Sequence, residues 1–225
     1  ILAWPENVGA FAIIFEKAGL SWTLSSDLAA YDSINYGVFY DDVQFARTAI
    51  LQAQAAAKLG VKKIVLGECG HAHKALTVIA DRVLPEGLKT PRESCFPILR
   101  DIVMGKYNKI EFDPSRNDFP VTVHDPCNVT RLMGIIKPQR EILHKLCPQF
   151  REMAPHGAHN YCCGGGSGFA IMSRGNIQDW RHKVAGRKKL EQILNAFEDS
   201  RAPVTQKYAC APCSHCQGQM RDIFA

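Results

Sequence analysis

Lys207-Tyr208-Ala209-Cys210-Ala211-Pro212-Cys213-Ser214-His215-Cys216 is a short strand signal that runs straight into a cysteine knot. Lys63-Ile64-Val65-Leu66-Gly67-Glu68-Cys69-Gly70-His71 can be laid over it: again a strand, then Cys-x-His after the same interval. Two further matches occur in the same order. Glu16-Lys17 and Trp22 to Ser25 precede Asn35-Tyr36-Gly37, as His144-Lys145 and Phe150 to Met153 precede Asn160-Tyr161-Cys162. Ordered matches at near-equal spacing suggest an internal duplication. The second copy has Cys162 and Cys163 where the first has Gly37 and Val38.

Helix and strand patterns alternate around these stretches. Val8 to Ala18, Asp42 to Leu59, Ala72 to Val83, Pro138 to Leu146 and Val184 to Phe197 read as helices, and one more is expected within Phe96 to Lys106. Asp41-Asp42 starts the second helix, Gly60 stops it, and Pro85 closes the third. Trp22 to Ser25, Lys62 to Gly67, Val121 to His124, Phe150 to Ala154 and Gln206 to Ala209 read as strands. Such alternation argues for parallel sheets. The expected fold is α/β, with two pseudo-duplicated Rossmann-like halves on short parallel sheets. Residues 1–119 are the degenerate first half plus a connector with five prolines between Pro85 and Pro120; residues 120–225 carry the cysteine knots.

Bulk composition narrows the class. The chain has 225 residues, 46% hydrophobic and 22% charged, which is ordinary for a globular protein. No apolar run reaches the roughly 18–20 residues of a membrane span. The start Ile1-Leu2-Ala3-Trp4 shows neither methionine nor a basic leader, so a fragment without a signal peptide is expected. A net charge of +5 gives no reason to expect a nucleic-acid partner. The basic run Arg181 to Lys189 reads as a solvated helix face, with a docking patch for an acidic partner as the sharper alternative.

Nine cysteines in a chain of this size do not suggest a disulfide scaffold. Six of them lie at Cys127, at Cys162-Cys163 and at Cys210, Cys213 and Cys216. Adjacent cysteines bond poorly to each other, but both can ligate one metal centre. Strand ends deliver Cys127, Cys210 and Cys213 to one crevice. Gly164 and Gly165 let backbone N–H groups approach the sulfurs. Zinc is satisfied by four ligands, so five or six thiolates favour an iron–sulfur core. Cys210-x-x-Cys213-x-x-Cys216 is not a ferredoxin run, because no fourth cysteine and proline follow. The glycines after Cys163 also lack the ending of a phosphate-binding loop. Cys95 and Cys147 belong to no motif and are expected to be buried as small hydrophobes. Tyr31, Tyr36 and Tyr40 are expected in core or rim packing, and His156 and His159 as loop histidines.

His124-Asp125-Pro126-Cys127, Cys162-Cys163-Gly164-Gly165-Gly166 and Ala209-Cys210-Ala211-Pro212-Cys213 resemble the cysteine-rich CCG domain of heterodisulfide reductases, which also occurs in iron–sulfur subunits of glycolate, lactate and glycerol-3-phosphate oxidoreductases. Trp22 to Ser26, Asn35 to Phe39 and Gly67-Glu68-Cys69-Gly70-His71-Ala72-His73 are similar to the K-subunit family of the Dsr membrane complex, which accompanies dissimilatory sulfite reductase. The resemblance implies a noncubane [4Fe–4S] cluster that cleaves a disulfide or trisulfide in one-electron steps. By position Cys127, Cys162, Cys163, Cys210 and Cys213 would hold it. From Cys163 to Cys210 there are 46 intervening residues, more than the family's usual gap, so an insertion near the basic helix is expected; Cys216 is extra, so Cys213 with Cys216 stays open as the ligating pair in place of Cys210 with Cys213.

The resemblance also implies further [4Fe–4S] clusters upstream, a membrane quinone-oxidising or cytochrome subunit among other partners, and a sulfur-carrier protein or heterodisulfide as substrate. The expected location is cytoplasmic, on the inner membrane face through those partners. Cys69 is expected in the same crevice, with His71, His73 or His215 protonating the leaving thiolate, since histidine titrates near neutrality. Two other readings compete: an electron-transfer subunit of an organic-acid dehydrogenase, and a zinc-stabilised interaction domain.

Overall fold

The computed structural model describes residues 5–27, 41–108, 110–166, 178–203 and 205–224. The tyrosines at 31, 36 and 40, the stretch 35–39 and the last two residues of the glycine run, 167 and 168, lie outside these.

Helix α1 spans Pro5–Lys17. Trp22 to Ser25 forms no strand: Trp22 packs edge-on against Phe15 and its Nε1 donates to Glu16 Oε1 at 2.9 Å. An aromatic with a polar handle here gains more from the helix face than from ladder pairing. Helix α2, Asp42–Leu59, starts where Asp41 accepts from the N–H groups of Val43 and Gln44 and ends at Gly60 with φ of 63°. Its Phe45, Ala49 and Ala53 recur one turn apart and meet Ala75, Ala80 and Leu84. Those three come from helix α3, which runs from Gly70–His73 through a π-helical segment, Lys74–Ile79, into Ala80–Val83, and from Leu84 just beyond it.

Strand β1, Ile64–Leu66, precedes α3 and pairs in parallel with β2, Arg92–Ser94. Arg92 to Ser94 sits in the proline-rich connector and has no apolar alternation, so sequence pattern gives no strand there. Ser94 then caps helix α4, Cys95–Val103, by accepting from the Phe96 N–H. Cys95 is fully buried with Phe96 and Val129, and Cys147 is buried too.

The second sheet has order β4-β3-β5, all parallel, from β3 (Val121–Val123), β4 (Phe150–Arg151) and β5 (Tyr208–Cys210). Central β3 is buried throughout, as a strand covered on both faces must be. Helix α5, Lys137–Leu146, connects β3 to β4, and α6, Arg187–Ala196, precedes β5. Helix α7, Ser214–Phe224, follows β5. The observed architecture is therefore mixed helix and strand on two short parallel sheets. Among the described residues no helix is long and apolar enough to cross a membrane.

Candidate metal centre

Three chain reversals aim their residues at the C-terminal ends of β3 and β5, where open parallel sheets place their sites. After β3, Asp125 is buried and receives both Arg140 NH groups, at 2.8 and 2.7 Å, and the Gly157 N–H at 2.6 Å. Arg140 also donates to Glu152 at 2.7 Å. Burial opposes the Asp125 charge, but the Arg140 hydrogen bonds prevail and hold its carboxyl below the usual range. This clamp ties the loop before Cys127 to α5 and to the turn before Asn160.

The second reversal carries Cys162 and Cys163. The N–H groups of Gly164 and Gly165 each lie 3.4 Å from a sulfur, of Cys162 and of Cys163 respectively. Gly164 has φ of +83°, and a Cβ there would lie 2.5 Å from the Ala185 carbonyl. Only glycine lets the chain pass Ala185 so closely while turning its N–H toward sulfur. The third reversal places Cys213 immediately before α7, where the Cys216 N–H donates to its sulfur. Cys213 thus caps α7, and the positive end of that helix favours a thiolate.

The sulfurs form a continuous series. Cys127 contacts Cys162, which contacts Cys163; Cys163 lies 3.3 Å from Cys216, which contacts Cys213; and Cys213 contacts Cys69. The neighbouring thiols hold Cys162 and Cys213 far below the usual thiol range, as acceptors. Their donors Cys69, Cys127, Cys163 and Cys216 are pushed above it. Cys163, Cys213 and Cys216 also belong to an apolar cluster with Met153, Ile193, Phe197 and Met220.

Cys69 and the second half meet because α3 begins with a glycine: a Cβ on Gly70 would lie 3.2 Å from Asn128 Cβ. Cys69 Sγ is 4.0 Å from His215 Nδ1, the His71 and His215 rings are 5.0 Å apart, and these three residues' ligand atoms fall within 4.8 Å of one another. Burial, and after it the neighbouring His215 ring, holds the His71 pKa below the usual imidazole value.

Two sequence expectations differ from this placement. His73 has both ring nitrogens engaged: Nδ1 donates to the Cys69 carbonyl at 2.9 Å and Nε2 faces Ser94 Oγ at 2.8 Å. It tethers Cys69 to β2, with both ring nitrogens turned to those partners. Cys210 is an exposed residue at the end of β5. Successive strand residues point to opposite faces, and its neighbour Ala209 packs on the cysteine cluster. Cys210 therefore faces away; its sulfur is desolvated, and the thiol it feels is Cys147.

Lys189 was hidden within the basic run. It is fully buried, and its Nζ reaches Asn160 Oδ1 at 2.7 Å, Gln192 Oε1 and Met153 Sδ. Burial lowers it to about 8, against the pull of nearby thiolates and Asp125. Ile193 and Phe197 at helical spacing, extended back one turn, are the sequence signal for it.

The Cysteine-rich domain model named CCG matches residues 121–221, the span that holds these reversals. Residues 121–221 belong to the CCG cysteine-rich domain family. Relatives that match well over half of the chain agree. The chain is 30% identical to the Hdr-like menaquinol oxidoreductase iron-sulfur subunit of Archaeoglobus profundus, over 68% of the chain and 33% of the relative. It is 32% identical, over the same shares, to the second Hdr-like menaquinol oxidoreductase iron-sulfur subunit of Archaeoglobus fulgidus. It is 34% identical to a dihydromethanophenazine:CoB--CoM heterodisulfide reductase subunit of Methanosarcina mazei, over 58% of the chain and 31% of the relative. The chain thus spans about a third of the length of the curated relatives it matches. No solved structure matches. The CCG domain contributes five of the six contacting sulfurs, and the residues before it contribute Cys69.

Proposed function

We propose that this chain is the cluster-bearing part of a heterodisulfide-reductase-like iron–sulfur subunit that reduces a sulfur–sulfur bond. The observation that carries this reading is the series of six touching sulfurs, three of them on buried cysteines. Left to themselves only Cys162 and Cys213 of the six ionise, because adjacent thiolates repel and burial disfavours charge. A cationic polynuclear core removes that conflict by accepting them all as thiolates, and the buried Nε2 of His124 is a polar atom with no protein partner beside it. The residues therefore fit an iron–sulfur group. Cys127, Cys162, Cys163, Cys213 and Cys216 would hold a noncubane [4Fe–4S] cluster, with Cys210 outside the set.

When bound, such a cluster supplies single electrons to a sulfur–sulfur bond. The chain's own residues do the rest. Gly164 and Gly165 donate N–H groups to the sulfurs, which raises a reduction potential. Cys69, His71 and His215 form the wall where a substrate disulfide meets the cluster. Cleaving R–S–S–R′ to two thiols consumes two electrons and two protons, and His71 and His215 are placed to deliver protons to the departing thiolates. The substrate class is a heterodisulfide or the trisulfide of a sulfur-carrier protein. The electrons come from quinol through membrane partner subunits and further clusters, with this chain peripheral on the inner face.

The two Cys-x-His stretches meet face to face, each after a parallel strand and each opening a helix. This supports a pseudo-duplicated, Rossmann-like plan with units 1–119 and 120–225. The zinc reading has one observation in its favour, the close grouping of Cys69, His71 and His215. The test is iron and acid-labile sulfide analysis of anaerobically purified protein, with EPR of the oxidised state. About four irons per chain is expected, the stoichiometry of the cluster type. An oxidised-state signal that shifts when a thiol substrate is added is also expected. Zinc without sulfide would sink the reading, and a signal indifferent to thiols would leave an electron-transfer module.

A further inference from the structure

His124 precedes Asp125 at the end of β3 and is 1% exposed. A ring nitrogen of His124 and the sulfurs of Cys163 and Cys216 all lie within 4.8 Å of one another. Its Nδ1 is engaged by Asn160 Nδ2 at 3.2 Å, and its Nε2 has no hydrogen-bond partner. Nε2 is thus the atom left for the sulfurs. Whether it meets them as a ligand or as a donor depends on where the ring proton sits.

Asn160 decides that. An amide can be turned end for end, but two neighbours fix this one. The Lys189 ammonium, which can only donate, lies 2.7 Å from Oδ1. The Asp125 carbonyl, which can only accept, lies 3.1 Å from Nδ2. Nδ2 therefore presents an N–H to His124 Nδ1, and Nδ1 must accept it. A neutral imidazole that accepts at Nδ1 carries its proton on Nε2. A buried N–H without an acceptor is costly, and the sulfurs are the acceptors within reach.

We propose that His124 donates an Nε2–H···S hydrogen bond to the Cys163–Cys216 side of the centre, and that Lys189, acting through Asn160, locks the tautomer that makes it a donor and not an iron ligand. This rests on the iron–sulfur reading above. His124 and Lys189 are positioning residues: both lower the cost of adding an electron, and neither touches substrate. Donors to cluster sulfur raise the potential, so their loss lowers it.

The test uses the whole iron-loaded protein with ¹⁵N-histidine, probed by pulsed EPR in H₂O and D₂O. A weak ¹⁵N coupling and an exchangeable proton coupling are expected. The ¹⁵N coupling should vanish in His124→Phe and the exchangeable proton coupling should shrink to what the Gly164 and Gly165 amides contribute, while iron and sulfide per chain stay at the wild-type value and the midpoint potential becomes more negative. Lys189→Met removes one of the two neighbours that fix Asn160 and should weaken the His124 proton coupling, and Lys189→Arg, which keeps a donor, should restore it. A ¹⁵N coupling of directly ligating strength overturns the inference, as does an unchanged potential with the proton coupling intact in His124→Phe. If His124→Phe does not fold, the wild-type spectra alone still decide. Wild-type protein that takes up no iron fails the parent reading instead.

Discussion

Arg140 joins two carboxylates and the backbone of its own helix while only 13% of its side chain meets solvent. Its partner Asp125 has a side chain 1% exposed. Removing one member of such a pair strands the other charge in a dry site. Arg140→Met should therefore lose about 3 kcal/mol, the scale for broken buried pairs, read from urea unfolding. A loss below about 1 kcal/mol, the scale for surface pairs, would show that water reaches Asp125. The cysteines give a sharper contrast at the same scale. Cys216→Ser and Cys162→Ser should abolish iron binding, whereas Cys210→Ser and Cys147→Ser should leave iron content unchanged. Retained iron in Cys216→Ser together with loss in Cys210→Ser would reverse the ligand assignment.

Elements differ in how openly the sequence declares them. Helix α2 shows an aspartate start, an apolar repeat and a glycine stop, and its observed bounds are those the sequence implies. Strand β2 is Arg92 to Ser94 between prolines, and it exists because β1 offers a parallel partner and Ile64 N–H donates to the Pro91 carbonyl at 2.8 Å. No local pattern encodes a pairing made across an intervening helix. Helix α7 is hidden for another reason: its buried face is Cys216, Gln219 and Met220, spaced helically but too polar to read as a core stripe. Lys189 is the same problem in reverse, a charge whose helix position points inward. In the site, the cysteine positions were legible. The proposed pairing of Cys213 with Cys216 in place of Cys210 rests on the strand alternation and the α7 cap, which no sequence spacing displays. The glycine reversal makes an element-scale prediction. Gly164→Ala should leave α2 and α3 folded, seen as retained helical circular dichroism, while iron content falls. An alanine variant with full iron would mean that Ala185 can give way.

Across the whole molecule the two sheets are stabilised differently. The first half is held by an ordinary apolar cluster between α2 and α3, made of Phe45, Ala49, Ala53, Ala75, Ala80 and Leu84. The second half has three cysteines inside its own cluster, beside Met153, Ile193, Phe197 and Met220. Where a metal group binds the folded chain and not the unfolded one, its binding energy is folding energy. Removing iron should therefore act unevenly. Hydrogen exchange of iron-loaded and chelator-stripped protein should show lost protection at 121–127, 160–166 and 208–220, with α2 and α3 retaining theirs. The junction at Gly70 and Asn128 is the informative boundary, because α3 meets the Cys127 loop there with almost no spare room. Protection lost equally in α2 would mean that both halves unfold as one cooperative unit. No change at 208–220 would mean that α7 holds its place by apolar contacts alone, and that the thiols owe their convergence to the protein and not to the metal.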